Sequence, residues 1–292
     1  MFGAIPFPDI SPEVFTIPVF GREFALRWYA LAYIVGIGLG FRLFVVALKR
    51  PALWKDDVPP MAPAKWEDLL TYIVLGVILG GRLGYVLFYR PDYYLVNWHE
   101  IPMVWTGGLS FHGGFLGVVL GVLAFAWRHK VPLGPLADGV ALGTPPAIFL
   151  VRIANFINAE LWGRPTDLPW GVIFPGEAAQ DCPGVVGACA RHPSQLYESL
   201  LEGAVLGVIL TLLAFRFRAL KTPWLLSGVF FLGYGLSRFA VEFVRQPDAQ
   251  FTGPDNPIGW ALDFGSWGLT MGQILSLPMI LIGLALVLRR AR

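Results

Sequence analysis

Residues 24–48 read FALRWYALAYIVGIGLGFRLFVVAL, an apolar run in which Arg27 and Arg42 are the only charged residues. A helix needs about 20 such residues to cross the hydrocarbon core of a bilayer. Over the whole chain, 55% of residues are hydrophobic and 14% are charged, whereas a soluble domain usually carries about a quarter charged residues. The sequence therefore predicts an integral membrane protein.

Comparable apolar blocks recur along the chain and predict its spans. They lie near residues 24–48, 69–89, 111–128, 136–157, 197–217, 224–244 and 269–288. Pro145 and Pro146 interrupt the fourth block. We predict an all-α fold, a polytopic integral membrane protein of about seven transmembrane helices that forms one domain over residues 1–292.

Basic residues divide unevenly between alternate loops and predict the orientation. One set of loops holds 12 lysines and arginines, including every lysine, and the opposite set holds six arginines. Because cytoplasmic loops carry the basic excess, we expect the N-terminus and the 158–192 loop, the head segment, to face the periplasm. The C-terminus then faces the cytoplasm. Cys182 and Cys189 lie in the head segment, and the sequence leaves open whether they form a disulfide or stay free.

Many glycines recur at four-residue spacing within the predicted spans. Small residues at this period let membrane helices approach each other closely. They predict a tight bundle rather than a wide pore. The glycines are Gly36 and Gly40; Gly76, Gly80 and Gly84; Gly113, Gly117 and Gly121; and Gly203 and Gly207.

The end of the fourth span carries polar residues at a depth where they are costly. Arg152, Asn155 and Asn158 are three residues apart, and Glu160 and Arg164 follow. A charged side chain at mid-bilayer costs about 2.5–3.5 kcal/mol, so it needs a partner or a function. These residues either bind neighbouring helices together or form a substrate site, and we favour the site.

The sixth span carries a second polar cluster, in which Tyr234, Arg238 and Glu242 are spaced by four and Arg245 follows. Arg238 and Glu242 form either a simple ion pair or a guanidinium that Glu242 holds in place for an anion. The planar fork of arginine matches two phosphate oxygens better than lysine does. Arg82, in the second span, is assigned neither a structural nor a functional role.

His112 stands between glycines at the outer end of the third span, in Gly107-Gly-Leu-Ser-Phe-His-Gly-Gly114. A histidine near a membrane interface is usually only hydrogen-bonded, but the glycines allow a substrate to approach the imidazole. Histidine also moves protons near neutral pH. His192 and Glu198, which open the fifth span, are further polar candidates.

Other chemistries fit the sequence poorly. The four histidines are scattered, and no zinc-protease, serine-hydrolase or Walker motif is present. We therefore predict no metal ion and no organic cofactor, and we expect the nucleophile to come from a substrate. No basic patch indicates a nucleic-acid partner, and residues 1–20 lack the features of a cleaved signal.

Several of these motifs resemble one known family. Arg152-Ile-Ala-Asn-Phe-Ile-Asn-Ala-Glu-Leu-Trp-Gly163 is similar to the signature of bacterial prolipoprotein diacylglyceryl transferases. So are Phe111-His-Gly-Gly114, His192-Pro-Ser-Gln-Leu-Tyr-Glu198, Arg27-Trp-Tyr-Ala-Leu-Ala-Tyr33, and Tyr234 with Arg238 and Glu242. The resemblance runs from about residue 15 to residue 288.

The resemblance implies an inner-membrane enzyme that acts at the periplasmic face. Its reaction moves the diacylglyceryl group of phosphatidylglycerol to the lipobox cysteine thiol of a prolipoprotein, forming a thioether and releasing glycerol phosphate. The implied partners are phosphatidylglycerol, lipobox-containing prolipoproteins and the lipid bilayer. The alternative is a membrane transporter or binding protein for an anionic lipid or another phosphate-bearing substrate.

Carried onto this sequence, the resemblance implies distinct roles for the site residues. Arg152 and Arg238 are expected to hold the phosphate and stabilise its growing charge. His112 is expected to activate the thiol, although nearby arginines offer another way to lower its pKa. Glu160 and Glu242 are expected to hold the arginines. The remaining expected contacts to head group and glycerol are Tyr29, Asn155, Asn158, Gly163 and Tyr234.

Overall fold

A computed structural model describes residues 4–19, 22–247, 251–253 and 256–289 of the chain. Its contacts divide the chain into two compact units. The first unit comprises Met1–Phe44 and Val140–Arg292, and the second comprises Val45–Gly139. The expectation of one domain over residues 1–292 remains a prediction.

Helices dominate both units. The α-helices are α1 (Trp28–Leu48), α2 (Trp66–Phe88), α3 (Pro91–Val96), α4 (Phe111–His129), α5 (Leu133–Gly143), α6 (Pro145–Ile157), α7 (Glu177–Gln180), α8 (Ser194–Glu198), α9 (Leu206–Phe215), α10 (Leu225–Val241) and α11 (Met271–Leu288). A π-helix, Ser199–Val205, joins α8 to α9. Short 3-10 turns lie at Pro51–Leu53, Lys55–Asp57, Pro63–Lys65, Trp98–Glu100, Val104–Thr106 and Ala219–Lys221.

Five helical segments in the described part of the chain are long and apolar enough to cross a membrane. The shorter α10 is also apolar, and α4 has 19 residues. Every predicted span is largely helical, so the predicted helical, polytopic membrane fold is confirmed. The five segments are Trp28–Leu48, Pro63–Phe88, Leu133–Ile157, Ser194–Phe215 and Met271–Leu288.

Short strands complete the fold. The first predicted span begins later than expected, at Trp28, because residues 22–27 are extended. They form β3 (Arg22–Arg27), which pairs antiparallel with β2 (Glu13–Val19). Elsewhere β1 (Ile5–Pro6) pairs in parallel with β4 (Val172–Ile173), and β5 (Leu262–Asp263) pairs with β6 (Gly268–Leu269).

The glycine rows lie where helices touch, as the sequence predicts. In the second unit, a Cβ added at Gly84 of α2 would lie 2.8 Å from Gly113 Cα of α4. In the first unit, a Cβ at Gly36 would lie 2.6 Å from Ala147 Cα. A Cβ at Gly203 would lie the same distance from Phe149 Cα. Only glycine allows these backbone separations, so the helices are closely packed within each unit.

The interrupted fourth span forms two helices. α5 ends at Gly143 and α6 begins at Pro145, where the missing proline N–H needs no helical partner. The Thr144 hydroxyl donates to Val140 O at 2.8 Å. The second helix, α6, then carries Arg152 and Asn155 toward the head segment. There the structure resolves the open question about the cysteines, because Cys182 and Cys189 form a disulfide.

Candidate active site

Four helical elements of the first unit bring buried charges together. Arg152 comes from α6 and Arg238 from α10. Between them, Glu198 ends α8 and Glu202 lies in the π-helix, and both glutamates are fully buried. We call the group that these residues form with Glu242 and Arg245 the arginine–glutamate cluster.

Glu198 is the carboxylate that the three arginines share. Its Oε2 lies 3.1 Å from Arg152 Nη1. Its Oε1 lies 3.6 Å from Arg238 Nη1 and 3.1 Å from Arg245 Nη1. The two arginines that the sequence singles out therefore meet on opposite oxygens of one carboxylate.

Each of these two arginines has a second acidic neighbour. Arg152 Nη2 lies 3.8 Å from Glu202 Oε2. Arg238 Nη1 lies 2.6 Å from Glu242 Oε2, one helical turn further along. Glu242 is itself fixed by Thr270, the N-cap residue of α11, whose hydroxyl donates to Glu242 Oε1 at 3.0 Å. The expected contact between Glu242 and Arg238 is thus present.

The charges of the cluster are close but poorly aligned for hydrogen bonding. Arg238 Nη1, Glu198 Oε2 and Glu242 Oε2 are buried and make no hydrogen bond of acceptable geometry within the described part of the chain. Both carboxylate oxygens of Glu202 share this property. Buried polar groups normally form such bonds. Arg238 Nη1 is the one donor among these atoms, so it is the atom of this set that a bound anion is able to use.

Glu160 contacts amides rather than an arginine among the contacts that the structure describes. Asn155 Nδ2 donates to Glu160 Oε1 at 2.7 Å, and Asn158 Nδ2 lies 3.4 Å from the same oxygen. These contacts fix the two asparagines, and the expectation that Glu160 holds an arginine remains a prediction. Asn158 Oδ1 is buried and makes no hydrogen bond with the described residues.

Tyrosines flank the arginines in the first unit. Tyr234 of α10 lies within electrostatic range of Arg152. Near the start of α1, the Tyr29 and Tyr33 hydroxyls lie 3.5 Å apart. Tyr33 lies within electrostatic range of Arg152 and Glu160, and Tyr29 contacts Tyr33.

Gly163 has a main-chain role. Its N–H donates to His192 O at 2.8 Å, and a Cβ there would lie 2.7 Å from His192 Cβ. Its carbonyl accepts a hydrogen bond from Arg191 at 3.3 Å. These contacts join the end of the fourth span to the residues before α8, so Gly163 positions the head segment.

Burial also acts on ionisable groups outside the spans. It lowers the pKa of Arg164, an effect that the nearby Glu242 opposes. It likewise lowers the pKa of His192, whose Nδ1 lies 3.2 Å from the Tyr197 hydroxyl. A lowered histidine pKa favours the neutral ring.

His112 is the second residue of α4, in the second unit. Its side chain lies outside the described part of the chain. Ser110 caps this helix by accepting from Gly113 N at 3.2 Å. The expected role of His112 in activating a thiol remains a prediction.

The main omission of the sequence analysis is Glu202, and Glu198 is named there only as a further candidate. Both were detectable, because two acidic residues four positions apart in an apolar span are costly unless cations pair with them. Their spacing places them on one flank of a helix. The contacts of three arginines with Glu198 depend on packing between distant segments, which the spacing of residues in the sequence does not predict.

A family model for prolipoprotein diacylglyceryl transferases matches residues 14–289 of this chain. The chain belongs to the prolipoprotein diacylglyceryl transferase family. Its similarity to individual members extends over the full length. The phosphatidylglycerol–prolipoprotein diacylglyceryl transferase of Ruegeria pomeroyi is 64% identical over 289 residues, which cover 99% of this chain and 98% of that protein.

Two other members match over similar lengths. The enzyme of the same description from Roseobacter denitrificans is 63% identical, covering 99% of this chain and 98% of its own length. The one from Brucella anthropi is 46% identical, covering 96% and 92%. The predicted family and its diacylglyceryl transferase activity are thereby confirmed, and the transporter alternative is set aside.

Proposed function

We propose that the arginine–glutamate cluster is where this transferase moves the diacylglyceryl group of phosphatidylglycerol to the lipobox cysteine thiol of a prolipoprotein. One observation carries the proposal: Arg152 and Arg238 flank opposite oxygens of Glu198. Guanidinium groups held that close are able to grip one phosphate from two sides. Both side chains are 17% exposed, so a ligand has access to them.

The reaction places its charge where these arginines lie. The thiolate sulfur attacks the glycerol carbon that bears the phosphate ester, forming a C–S bond as the C–O bond breaks. The electron pair of that bond leaves on glycerol phosphate, which becomes a dianion. Arg152 and Arg238 stabilise this growing charge in a site of low dielectric, where fixed cations act most strongly.

The remaining site residues orient the substrates or the arginines. Asn155 and Asn158, positioned by Glu160, offer amide groups to the head group, and Tyr29 and Tyr234 offer hydroxyls to the glycerol. Glu242 fixes Arg238, and Gly163 fixes the adjoining head segment. These residues bind and position, whereas Arg152 and Arg238 act on the reacting phosphate.

His112 is our candidate for the group that takes the thiol proton. The reference pKa of a cysteine thiol is about 8.5, so a base raises the thiolate fraction near neutral pH. His112→Gln is expected to slow transfer mainly below the pKa of the thiol, and to matter little above it. A variant whose rate is reduced equally from pH 6.5 to pH 9.5 argues against this role.

The site faces the periplasm in this proposal. The distribution of lysine and arginine supports this orientation, with the N-terminus periplasmic and the C-terminus cytoplasmic in a bacterial inner membrane. Both substrates carry membrane-embedded portions, so lateral entry from the bilayer suits them. Cysteine labelling of residues 158–192 in intact cells and in inverted vesicles tests this orientation.

A transfer assay with purified components tests the function. Detergent-purified protein and phosphatidylglycerol alone are expected to add a diacylglyceryl group to a lipobox peptide, detected by mass spectrometry. Arg152→Ala and Arg238→Ala are expected to remain folded and to lose nearly all transfer. A lipobox peptide with serine in place of cysteine is the negative control. Largely retained transfer in either arginine variant contradicts the assigned role.

A further inference from the structure

The first unit also contains a cavity of about 400 Å³, which is lined by the head segment and by residues 245–247 and 252. Trp162, Ala178, Asp181, Arg191 and Arg245 are among the residues that line it. We propose that this cavity receives the glycerol phosphate released by transfer and passes it to water. The inference rests on the proposed function, because that reaction supplies the ligand.

Arg245 links the cavity to the arginine–glutamate cluster. It lines the cavity, and its Nη1 also lies 3.1 Å from Glu198 Oε1. Arg238 approaches the same oxygen, and Arg152 approaches the other one. A phosphate that leaves Arg152 and Arg238 therefore meets Arg245 as the next cation.

The charges that line the cavity suit an anion. Arg191 is 2% exposed and donates to the carbonyls of Ala179, Asp181 and Gly163. It also donates to Gln246 Oε1 at 3.2 Å and lies over the Trp162 ring. Its donors are therefore occupied, and it contributes net positive charge to the lining rather than a hydrogen bond to the ligand. The carboxylate of Asp181 lies close enough to oppose that charge. Arg245 adds the second cation, so two arginines face one acidic residue in the lining.

The chemistry of the products requires such an exit. The diacylglyceryl-modified prolipoprotein is lipidic and leaves sideways into the bilayer. Glycerol phosphate is small and doubly charged, so moving it through hydrocarbon is very costly. It needs a polar route to water, and the exposed Ala178 and Asp181 place one wall of the cavity at the surface.

Product inhibition tests the inference with variants that leave the cluster unchanged. Ala178→Glu adds a negative charge to the cavity wall, Ala178→Gln is its neutral match, and Asp181→Asn removes a negative charge. Transfer to a lipobox peptide is measured with rising glycerol phosphate at constant ionic strength, with glycerol and inorganic phosphate in separate arms.

We expect glycerol phosphate to inhibit wild type. Inorganic phosphate should inhibit more weakly, because it offers the phosphate group without the glycerol. Ala178→Glu should need roughly fivefold more glycerol phosphate for half inhibition, because one added charge repels a nearby dianion. Ala178→Gln should match wild type, and Asp181→Asn should need less. Without added product, all variants should use phosphatidylglycerol with the KM of wild type.

Several results overturn the inference. Equal half-inhibition values in Ala178→Glu and Ala178→Gln contradict it, as does a wild type that glycerol phosphate does not inhibit. A KM for phosphatidylglycerol that rises in step with the inhibition constant assigns the cavity to the intact lipid head group instead. Absence of transfer in wild type is a different result, which overturns the proposed function and this inference with it.

Discussion

Buried arginines serve two different purposes in this protein. In the second unit, Arg82 is 3% exposed and directs its donors at main-chain carbonyls. Nε donates to Ile101 O at 2.7 Å, Nη1 to Gly107 O at 2.6 Å, and Nη2 to Glu100 O at 2.7 Å. In the first unit, Arg152 and Arg238 instead face carboxylates that they share.

The difference separates a structural arginine from one that can act on a substrate. The guanidinium nitrogens of Arg82 all donate to backbone carbonyls, so this side chain holds residues 100–108 in place. The arginines of the cluster face side-chain carboxylates, and Arg238 Nη1 forms no aligned hydrogen bond in the described part of the chain. A phosphate can therefore displace or join those contacts without unfolding a loop.

Arg82→Met is expected to produce the largest effect, and the effect should fall on stability. Removing the guanidinium leaves several carbonyls without donors, and each unsatisfied buried group costs about 1–3 kcal/mol. We expect a loss of about 4 kcal/mol in the free energy of unfolding. Thermal unfolding in detergent measures the loss, and the specific activity of the folded fraction should stay near that of wild type.

Arg42→Met is the matched control for this prediction. Arg42 also lies on a helix with an apolar sequence, but it is exposed. Surface substitutions usually change stability by about 0.5 kcal/mol or less. If Arg82→Met keeps its unfolding temperature and loses transfer instead, then Arg82 belongs with the functional arginines and the comparison fails.

The sequence contains most of the fold because apolar length and glycine spacing are local properties. The predicted spans are largely helical, and the predicted glycine rows lie at helix contacts. The β2–β3 hairpin was missed, because residues 22–27 continue directly into the apolar run that begins α1. A hydropathy pattern does not mark the point at which an apolar strand becomes a helix.

The site was less predictable because it depends on contacts between distant segments. Arg152 and Arg238 were singled out by the cost of charge in an apolar span, and the structure brings them together on Glu198. The sequence gives no means of telling that Glu198 binds three arginines or that Glu160 faces two asparagines. Arg82 was left undecided because its carbonyl partners lie 18 to 26 residues along the chain.

Substituting lysine for Arg152 or Arg238 tests whether these two arginines act on the phosphate. Arg152→Lys and Arg238→Lys keep the charge but lose the planar fork that contacts two oxygens at once. We expect kcat/KM for phosphatidylglycerol to fall roughly 100-fold, which corresponds to about 2.7 kcal/mol of transition-state stabilisation. The unfolding temperature should change little, in contrast to Arg82→Met.

Initial rates with a lipobox peptide at varied phosphatidylglycerol measure this effect. Arg128→Lys, near the end of α4, is a control for the chemical change alone. Near-normal transfer in both cluster variants shows that charge alone suffices. In that case the two-point contact with phosphate is wrong.

The smallest expected effect compares two glutamates of the cluster that differ mainly in their contacts. Glu198 and Glu202 are both fully buried and one helical turn apart. Within the described part of the chain, Glu198 contacts three arginines and Glu202 contacts one, Arg152. Glu198→Gln is expected to lower kcat about tenfold, because Arg152 and Arg238 lose the carboxylate that both contact. Glu202→Gln is expected to lower kcat about threefold. Because both changes replace one buried carboxyl group by an amide of the same size, a general effect of losing a carboxyl group predicts equal losses. Steady-state rates of the two variants therefore distinguish the positioning role of Glu198 from the general effect. An equal loss of kcat in both variants, or a larger loss in Glu202→Gln, contradicts the role of Glu198 in positioning the arginines.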